Sequence, residues 1–460
     1  MLATMLRRPT VLTLVLVSAC AGRAKHSVSL YEAGDYAGAA RAADEGLAQH
    51  PDDDGLWAMK VRAALALGDA DAVDKAYAGL VEHRGGDDRE LLRDLATATL
   101  AQGLASPSAK LKIAAIDAIS DLELQALADD VFQRLNDEDD RVAASAAVAV
   151  LHGYQQAPQV ADDMLKSENP EARRIAVAGI AKKIGKLAVA DIEKAGSDPD
   201  AGVRRAAIYA LGEMKDADAV ELCTRRMKDS DETVRAAAAT ALARIGIGNL
   251  EELGKKALAD KALSVRLAGI ELLAAAHRDD ELAALADDPD PLVGVTAAIA
   301  VKTSHPGLGT RPLERAVAAP EWTVRAGAAN LAVTALGRDA GLAYAQRLTK
   351  DAELQVRLAA ARVLAHAGDA AGARAIFSSA LESPQGIQAA ADLAALDDAT
   401  GLAALSADVR NSRNTPEQRA EAAMAHRNAH HVTPGLVAAL GDPNGLVRVE
   451  AAATLGALAK

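Results

Sequence analysis

The sequence predicts an all-helical protein, a right-handed α-solenoid of stacked helix pairs. Three observations carry that prediction. Half of the 460 residues are hydrophobic but only 2% are aromatic, so the core is alanine, leucine and valine, a mixture that suits closely spaced helices better than a sheet sandwich. Nearly the whole chain after the first 25 residues is self-similar, first at a spacing of 34 residues and then at 28 to 32, the mark of stacked supersecondary units. Within those units apolar residues recur at i, i+3, i+4, i+7 and i+8, one buried helical stripe.

The first element, residues 1–19, is a leader rather than part of the fold. Arg7 and Arg8 precede the apolar stretch Val11 to Val17, and the small pair Ser18 and Ala19 precedes Cys20. The stretch is too short to span a bilayer, and its order of charge, apolar run and small residues is that of a secretory signal. Val17-Ser18-Ala19-Cys20 resembles the signal of bacterial lipoproteins. That resemblance implies cleavage before Cys20 and acylation of its thiol, an anchor because each buried methylene contributes roughly 0.8 kcal/mol. Ala21 stands where an aspartate would resemble an inner-membrane retention signal, so delivery to an outer membrane, facing the periplasm, is the expectation.

Residues 20–25 form a short tether, and residues 26–84 carry the 34-residue repeat. Gly34-Asp35-Tyr36 with Ala39, Ala43 and Leu47 returns as Gly68-Asp69-Ala70 with Val73, Tyr77 and Val81. The phrase GDYAGAARAADEGLAQHPDD resembles the tetratricopeptide repeat family, which implies helix-turn-helix units. Residues 85–105 read as a linking helix.

From 106 to 460 a shorter repeat takes over. Its clearest copy is Asp198-Pro199-Asp200 followed by Val203, Arg204, Ala206, Ala207, Ala210, Leu211 and Gly212. Asp198 is expected to cap the helix, Pro199 to open it and Gly212 to end it. A second helix is expected over 216–227. The position of Arg204 runs through Lys112, Ala143, Arg173, Arg204, Arg235, Arg266, Gly294, Arg325, Arg357, Gln388, Arg419 and Arg448, eight of twelve being arginine. Six residues earlier stand Asp137, Asp198, Asp229, Asp260, Asp288, Asp351 and Asp442, replaced in other units by Ser106, Ser167, Ala319, Glu382 and Arg413. The spacing DxxxxVR-x-A-A resembles the HEAT-like repeat family in its short bacterial form, related to the repeats of phycobilin lyases. Neighbours that stack to bury their stripes would bring each arginine beside the next unit's aspartate, a structural ladder along the array. The pattern is irregular near 294–312 and 396–416. The chain ends after the first helix of its last unit, which leaves an expected open face.

Catalytic, cofactor-binding and metal-ligating residues are not expected. No GxxxxGK[ST], GxSxG or CxxC is present, and no histidine is followed by glutamate, as the HEAT-like iron hydroxylases would require. His426, His430 and His431 lie close in sequence, a conceivable zinc set weighed against solvated histidines at a helix end. Cys223, at an apolar helical position, reads as a small buried hydrophobe. The formal charge of −13, or −15 without the leader's Arg7 and Arg8, argues against a nucleic-acid backbone or an anionic lipid face as the main partner, and no local basic patch is evident in the sequence. The expectation is a lipid-anchored scaffold that binds protein through the solenoid groove. A lyase-like enzyme using that groove, and a lipoprotein self-associating through its open end, are the alternatives.

Overall fold

The computed structural model describes residues 23–460, and the leader with Cys20 lies outside them. All regular structure among the described residues is helical. In chain order it comprises α1 (Lys25–Glu32), α2 (Tyr36–Gln49), α3 (Asp54–Leu67), α4 (Ala70–Arg84), α5 (Arg89–Leu104), α6 (Ala109–Leu122) and α7 (Ala128–Phe132). Then come α8 (Asp140–Ala149), α9 (Ala157–Met164), α10 (Pro170–Ile184), α11 (Val189–Ala195), α12 (Ala201–Met214), α13 (Val220–Arg226), α14 (Glu232–Ile245) and α15 (Leu250–Leu258). They are followed by α16 (Leu263–Ala275), α17 (Asp279–Ala284), α18 (Pro291–Ala300), α19 (Thr310–Val317), α20 (Trp322–Leu336), α21 (Arg338–Leu348), α22 (Leu354–His366) and α23 (Ala370–Ala380). The chain closes with α24 (Gly386–Ala394), α25 (Ala399–Asp408), α26 (Pro416–Ala429), α27 (Pro434–Ala438) and α28 (Gly445–Leu458). Two compact units result: Val131–Gln385, and the residues up to Asp130 together with Gly386–Lys460.

In the central unit, Val131–Gln385, the even-numbered helices α8 to α22 are the first helices of successive repeats and pack side by side. The odd-numbered second helices pack on the first helix of their own pair, on that of the next pair, or on both; α11, α13 and α15 lie chiefly against the next one. The apolar stripe explains the stacking, since Val203, Ala207, Ala210 and Leu211 of α12 are buried together with Ile208. Small residues let the axes approach. A Cβ on Gly212 would sit 2.7 Å from the Ala241 Cα of α14, so this glycine marks a helix contact.

Three local expectations are thereby corrected. Gly212 does not end its helix; α12 continues to Met214, and Lys215 takes the left-handed conformation at φ 50°. Asp198 does not cap it either. Asp200 does, accepting the Val203 N–H at 3.0 Å, while Asp198 accepts the Asp200 N–H at 2.8 Å and so sits one turn outside the helix with Pro199. The second helix is shorter than expected, Val220–Arg226 rather than 216–227, because Asp216 to Ala219 form the turn.

In the other unit the Gly-Asp pair that defines the 34-residue repeat has a physical role. Gly34 and Gly68 adopt positive φ at 80° and 71°, and Asp35 and Asp69 then cap α2 and α4 through the Gly38 and Ala72 N–H groups at 2.8 and 2.9 Å. Helices α2, α3 and α4 pack in sequence around buried Leu47, Leu56 and Met59. The expected open C-terminal face is absent, because α28 packs on α5 and α6. A Cβ on Gly103 of α5 would meet Val449 at 2.9 Å, and one on Gly456 would meet Leu122 of α6 at 2.5 Å. Lys460 Nζ donates to the Asp121 carbonyl at 3.0 Å, and Arg93 donates to the Lys460 carbonyl at 3.2 Å. The half-unit is completed by helices from the other end of the chain.

Candidate functional site: the arginine ladder and the outward helix stripe

The recurrent arginines meet the next unit's aspartates. Arg204 donates Nε and Nη2 to Asp229 at 2.9 and 2.7 Å, and its Nη1 reaches the carbonyls of Asp198 and Pro199, both at 2.9 Å. Arg173 meets Asp198 in this bidentate manner, Arg235 meets Asp260 and Arg325 meets Asp351. Arg419 and Asp442 repeat it in the other unit. Arg266 differs, reaching Asp290 at 2.7 Å rather than Asp288. Arg357 donates to the carbonyls of Asp351 and Ala352, and Arg448 to those of Asp442 and Pro443.

These pairs are not surface decoration. The side chains of Arg204 and Asp229 are only 11% and 3% exposed. Burial pushes the Asp229 carboxyl upward, but the Arg204 hydrogen bonds, the Asp231 N–H and the charges of Arg204 and Arg226 outweigh it and hold the carboxyl below the usual range. Asp198 is held low in the same way, against its burial. For Asp260 and Asp351 the arginine hydrogen bonds are the foremost cause of the lowering.

Two features escaped the sequence reading. Where the arginine is missing, the next unit's acid is missing as well: Ala143 precedes Ser167, Gly294 precedes Ala319 and Gln388 precedes Arg413. Comparing each arginine position with the acid 23 to 26 residues later, rather than six earlier, would have exposed this signal. The second feature is Arg315. It leaves α19 to donate to the Asp288 and Pro289 carbonyls at 2.6 and 3.0 Å, the bonds that an arginine at 294 would make. Gly294 cannot supply them, since a Cβ there would lie 2.9 Å from the Ala286 carbonyl oxygen and 3.0 Å from Pro312.

The first helices turn a second stripe outward. On α12 it carries Arg205, Tyr209 and Glu213, all exposed. Tyr209 is 52% exposed, with the Arg244 guanidinium of α14 5.0 Å from its ring centroid and Arg244 paired to Glu213. Trp322 of α20, 43% exposed, lies on the same stripe, and Met424 of α26 occupies the position equivalent to Tyr209. A cleft of about 540 Å³ in the other unit is bordered by Leu67, Asp71, Val409, Arg410 and Pro443.

The three histidines are separated. His426 is fully buried, its Nδ1 2.7 Å from the Ala422 carbonyl and its Nε2 2.9 Å from Thr433 Oγ1. Thr433 Oγ1 already accepts the Leu436 N–H, so its own proton goes to Nε2 and Nδ1–H donates to Ala422. Burial lowers the imidazole's affinity for a second proton. His430 is exposed at the helix end, and His431 faces Asp397 at 3.0 Å. Among the described residues no three His, Cys, Asp or Glu side chains gather as a metal-holding group. Cys223 is fully buried, and burial pushes its thiol up to about 12.

Residues 157–243 match the family model of HEAT repeats. No curated protein matches the sequence. Among solved structures, the complex of CpcE and CpcF of phycocyanin lyase from Nostoc sp. PCC7120 is 23% identical, with a TM-score of 0.33 over 50% of this chain and 96% of that one. Human deoxyhypusine hydroxylase is 20% identical, with a TM-score of 0.27 over 50% and 91%. Importin beta is 13% identical, with a TM-score of 0.34 over 90% and 75%. Likenesses this distant say nothing of activity.

Proposed function

We propose that the chain is a non-catalytic scaffold, anchored to a membrane through acylated Cys20, that binds a protein partner on the outward surface of its stacked first helices. The observation that carries the binding role is Tyr209. In a chain with ten aromatic residues, one stands half exposed on a helix whose position is locked on one side by Arg173 and Asp198 and on the other by Arg204 and Asp229. Such rigid, flanked aromatics carry a large share of the energy of protein interfaces, and Tyr and Arg are enriched among them. The ladder's role in this reading is structural, holding neighbouring stripes in register so that they offer one continuous surface. A stable interface needs roughly 800 Å² per partner, which several adjacent first helices supply.

The anchor rests on the order of residues in the leader, and the outer-membrane, periplasm-facing location on Ala21. The acidic balance of the chain disfavours nucleic acid as the partner.

The binding role is tested by placing a photo-crosslinking residue at Arg205 in membrane-bound protein. One recurring protein product that disappears in Tyr209→Ala supports the reading; no product, or an unchanged one, defeats it. The anchor is tested by Cys20→Ser and fractionation. Retention of the variant in the membrane at the original level removes the anchor from the proposal.

A further inference from the structure

The turns that follow α10, α12 and α14 share one edge of the central unit. These helices run side by side in the same direction, with the ladder joining their N-terminal ends and the Arg244 to Glu213 pair joining α14 to α12 near their C-terminal ends. The first turn, Ile184-Gly185-Lys186-Leu187-Ala188, puts Leu187 into solvent at 93% exposure, the most exposed large apolar side chain among those described. Lys182, Lys183 and Lys186 precede it closely in sequence, Lys182 and Lys186 exposed and Lys183 half-buried. The next turn presents Lys215 in a left-handed conformation, and the third presents Ile247 at 50% exposure. Among the described residues none of these four ammonium groups has an acidic partner, although the chain has 64 acidic side chains against 51 lysines and arginines. The nearest acid in sequence, Asp191 in the first turn of α11, is paired with Lys194 at 2.9 Å, and Asp216 and Asp218 follow Lys215, so the segment 182–187 itself carries no acid.

The opposite edge has no such cluster: in the turns before α12 and α14, Asp198 and Asp229 are neutralised by Arg173 and Arg204, and Asp200 and Asp231 cap the helices. An anionic surface is therefore drawn to the lysine edge, which orients the unit as well as holding it.

We infer that the edge formed by Lys182, Lys183, Lys186, Leu187, Lys215 and Ile247 docks on an anionic phospholipid bilayer. The pairing of features selects a bilayer over a soluble acidic partner. Unpaired lysines suit lipid phosphates, and an isolated, fully projecting leucine suits the shallow acyl boundary just beneath them, where a flat acidic protein face offers no depth to enter. The inference takes its setting, a chain already held near a membrane, from the proposed anchor. Its chemistry is independent of that anchor.

The test uses the chain begun at Ala21, which retains every described helix and lacks both leader and acyl group, so that neither contributes. It is sedimented with vesicles of phosphatidylcholine alone, and with vesicles of phosphatidylcholine and phosphatidylglycerol at about two to one. Binding is expected only to the second, weakening as salt is added. Each lysine near such a surface contributes about a fivefold factor, so Lys182→Gln with Lys183→Gln and Lys186→Gln is expected to return binding to the neutral-vesicle level. Leu187→Ser is expected to weaken it about tenfold. Unchanged thermal melting of both variants confirms that the fold is kept. Absence of binding to the anionic vesicles overturns the inference, as does binding that survives the triple substitution. Salt-sensitive binding indifferent to Leu187→Ser also overturns it, in favour of a soluble polyanion. Loss of the anchor alone would appear as failure of the Cys20→Ser fractionation with vesicle binding intact.

Discussion

Asp229→Ala removes the acid that joins α12 to α14. The Arg204 guanidinium, 11% exposed, then keeps its bonds to the Asp198 and Pro199 carbonyls but loses both charge-assisted bonds to a carboxylate. The Asp231 N–H loses its acceptor as well. Removing one member of a buried pair costs about 3 to 5 kcal/mol, and the residual carbonyl contacts place this case near the lower end, about 3 kcal/mol. In a stacked array the loss falls on one interface. Urea unfolding followed by circular dichroism is expected to show an earlier, broader transition, and hydrogen exchange to localise the loss of protection to α12 and α14. Adding Arg204→Ala should recover about 2 kcal/mol relative to additivity, since the stranded cation is gone. A loss below about 1 kcal/mol that vanishes in high salt would refute the reasoning, because that is the behaviour of an exposed pair.

Acid should act on the same ladder. Asp198, Asp229, Asp260 and Asp351 are held below the ordinary carboxylate range in the folded chain. Their stabilisation is complete above the unfolded value of about 4 and is lost as pH falls through the lowered folded range. Melting temperature should drop from about pH 4 downward, and less steeply in Asp229→Asn, which has already lost its share. Arg315→Ala, which frees the Asp288 and Pro289 carbonyls, should destabilise the central unit by about 1 to 3 kcal/mol in urea titration, and Gly294→Arg should fail to rescue it. Gly212→Ala forces α12 from α14 at Ala241 and is expected to cost about 2 kcal/mol, whereas Ala substitution at exposed Tyr209 should leave stability within about 0.5 kcal/mol.

Much of the architecture was legible because it is local and repeated. The stripe Val203, Ala207, Ala210 and Leu211 specifies a helix and its buried face by spacing alone, and Gly34-Asp35 with Gly68-Asp69 specifies turn and cap together. The details that failed depended on competition between neighbours. Asp198 and Asp200 are equally good caps by type, and only the packed arginine of the preceding unit decides that Asp198 serves the ladder while Asp200 serves the helix. Gly212 has the composition of a terminator, yet the close approach of Ala241 makes it an interior contact.

The sequence by itself determined the helical class, the repeat length, the buried stripe and the arginine and aspartate positions, because these follow from periodicity and side-chain type. The tertiary structure alone decided which aspartate each arginine meets, that Arg315 serves the unit with Gly294, that His426 is buried with both ring nitrogens occupied, and that α5 and α6 cover α28. The physical reason is distance along the chain. Lys460 and Asp121 lie 339 residues apart, and no local propensity reports on a contact whose two halves are specified so far from each other.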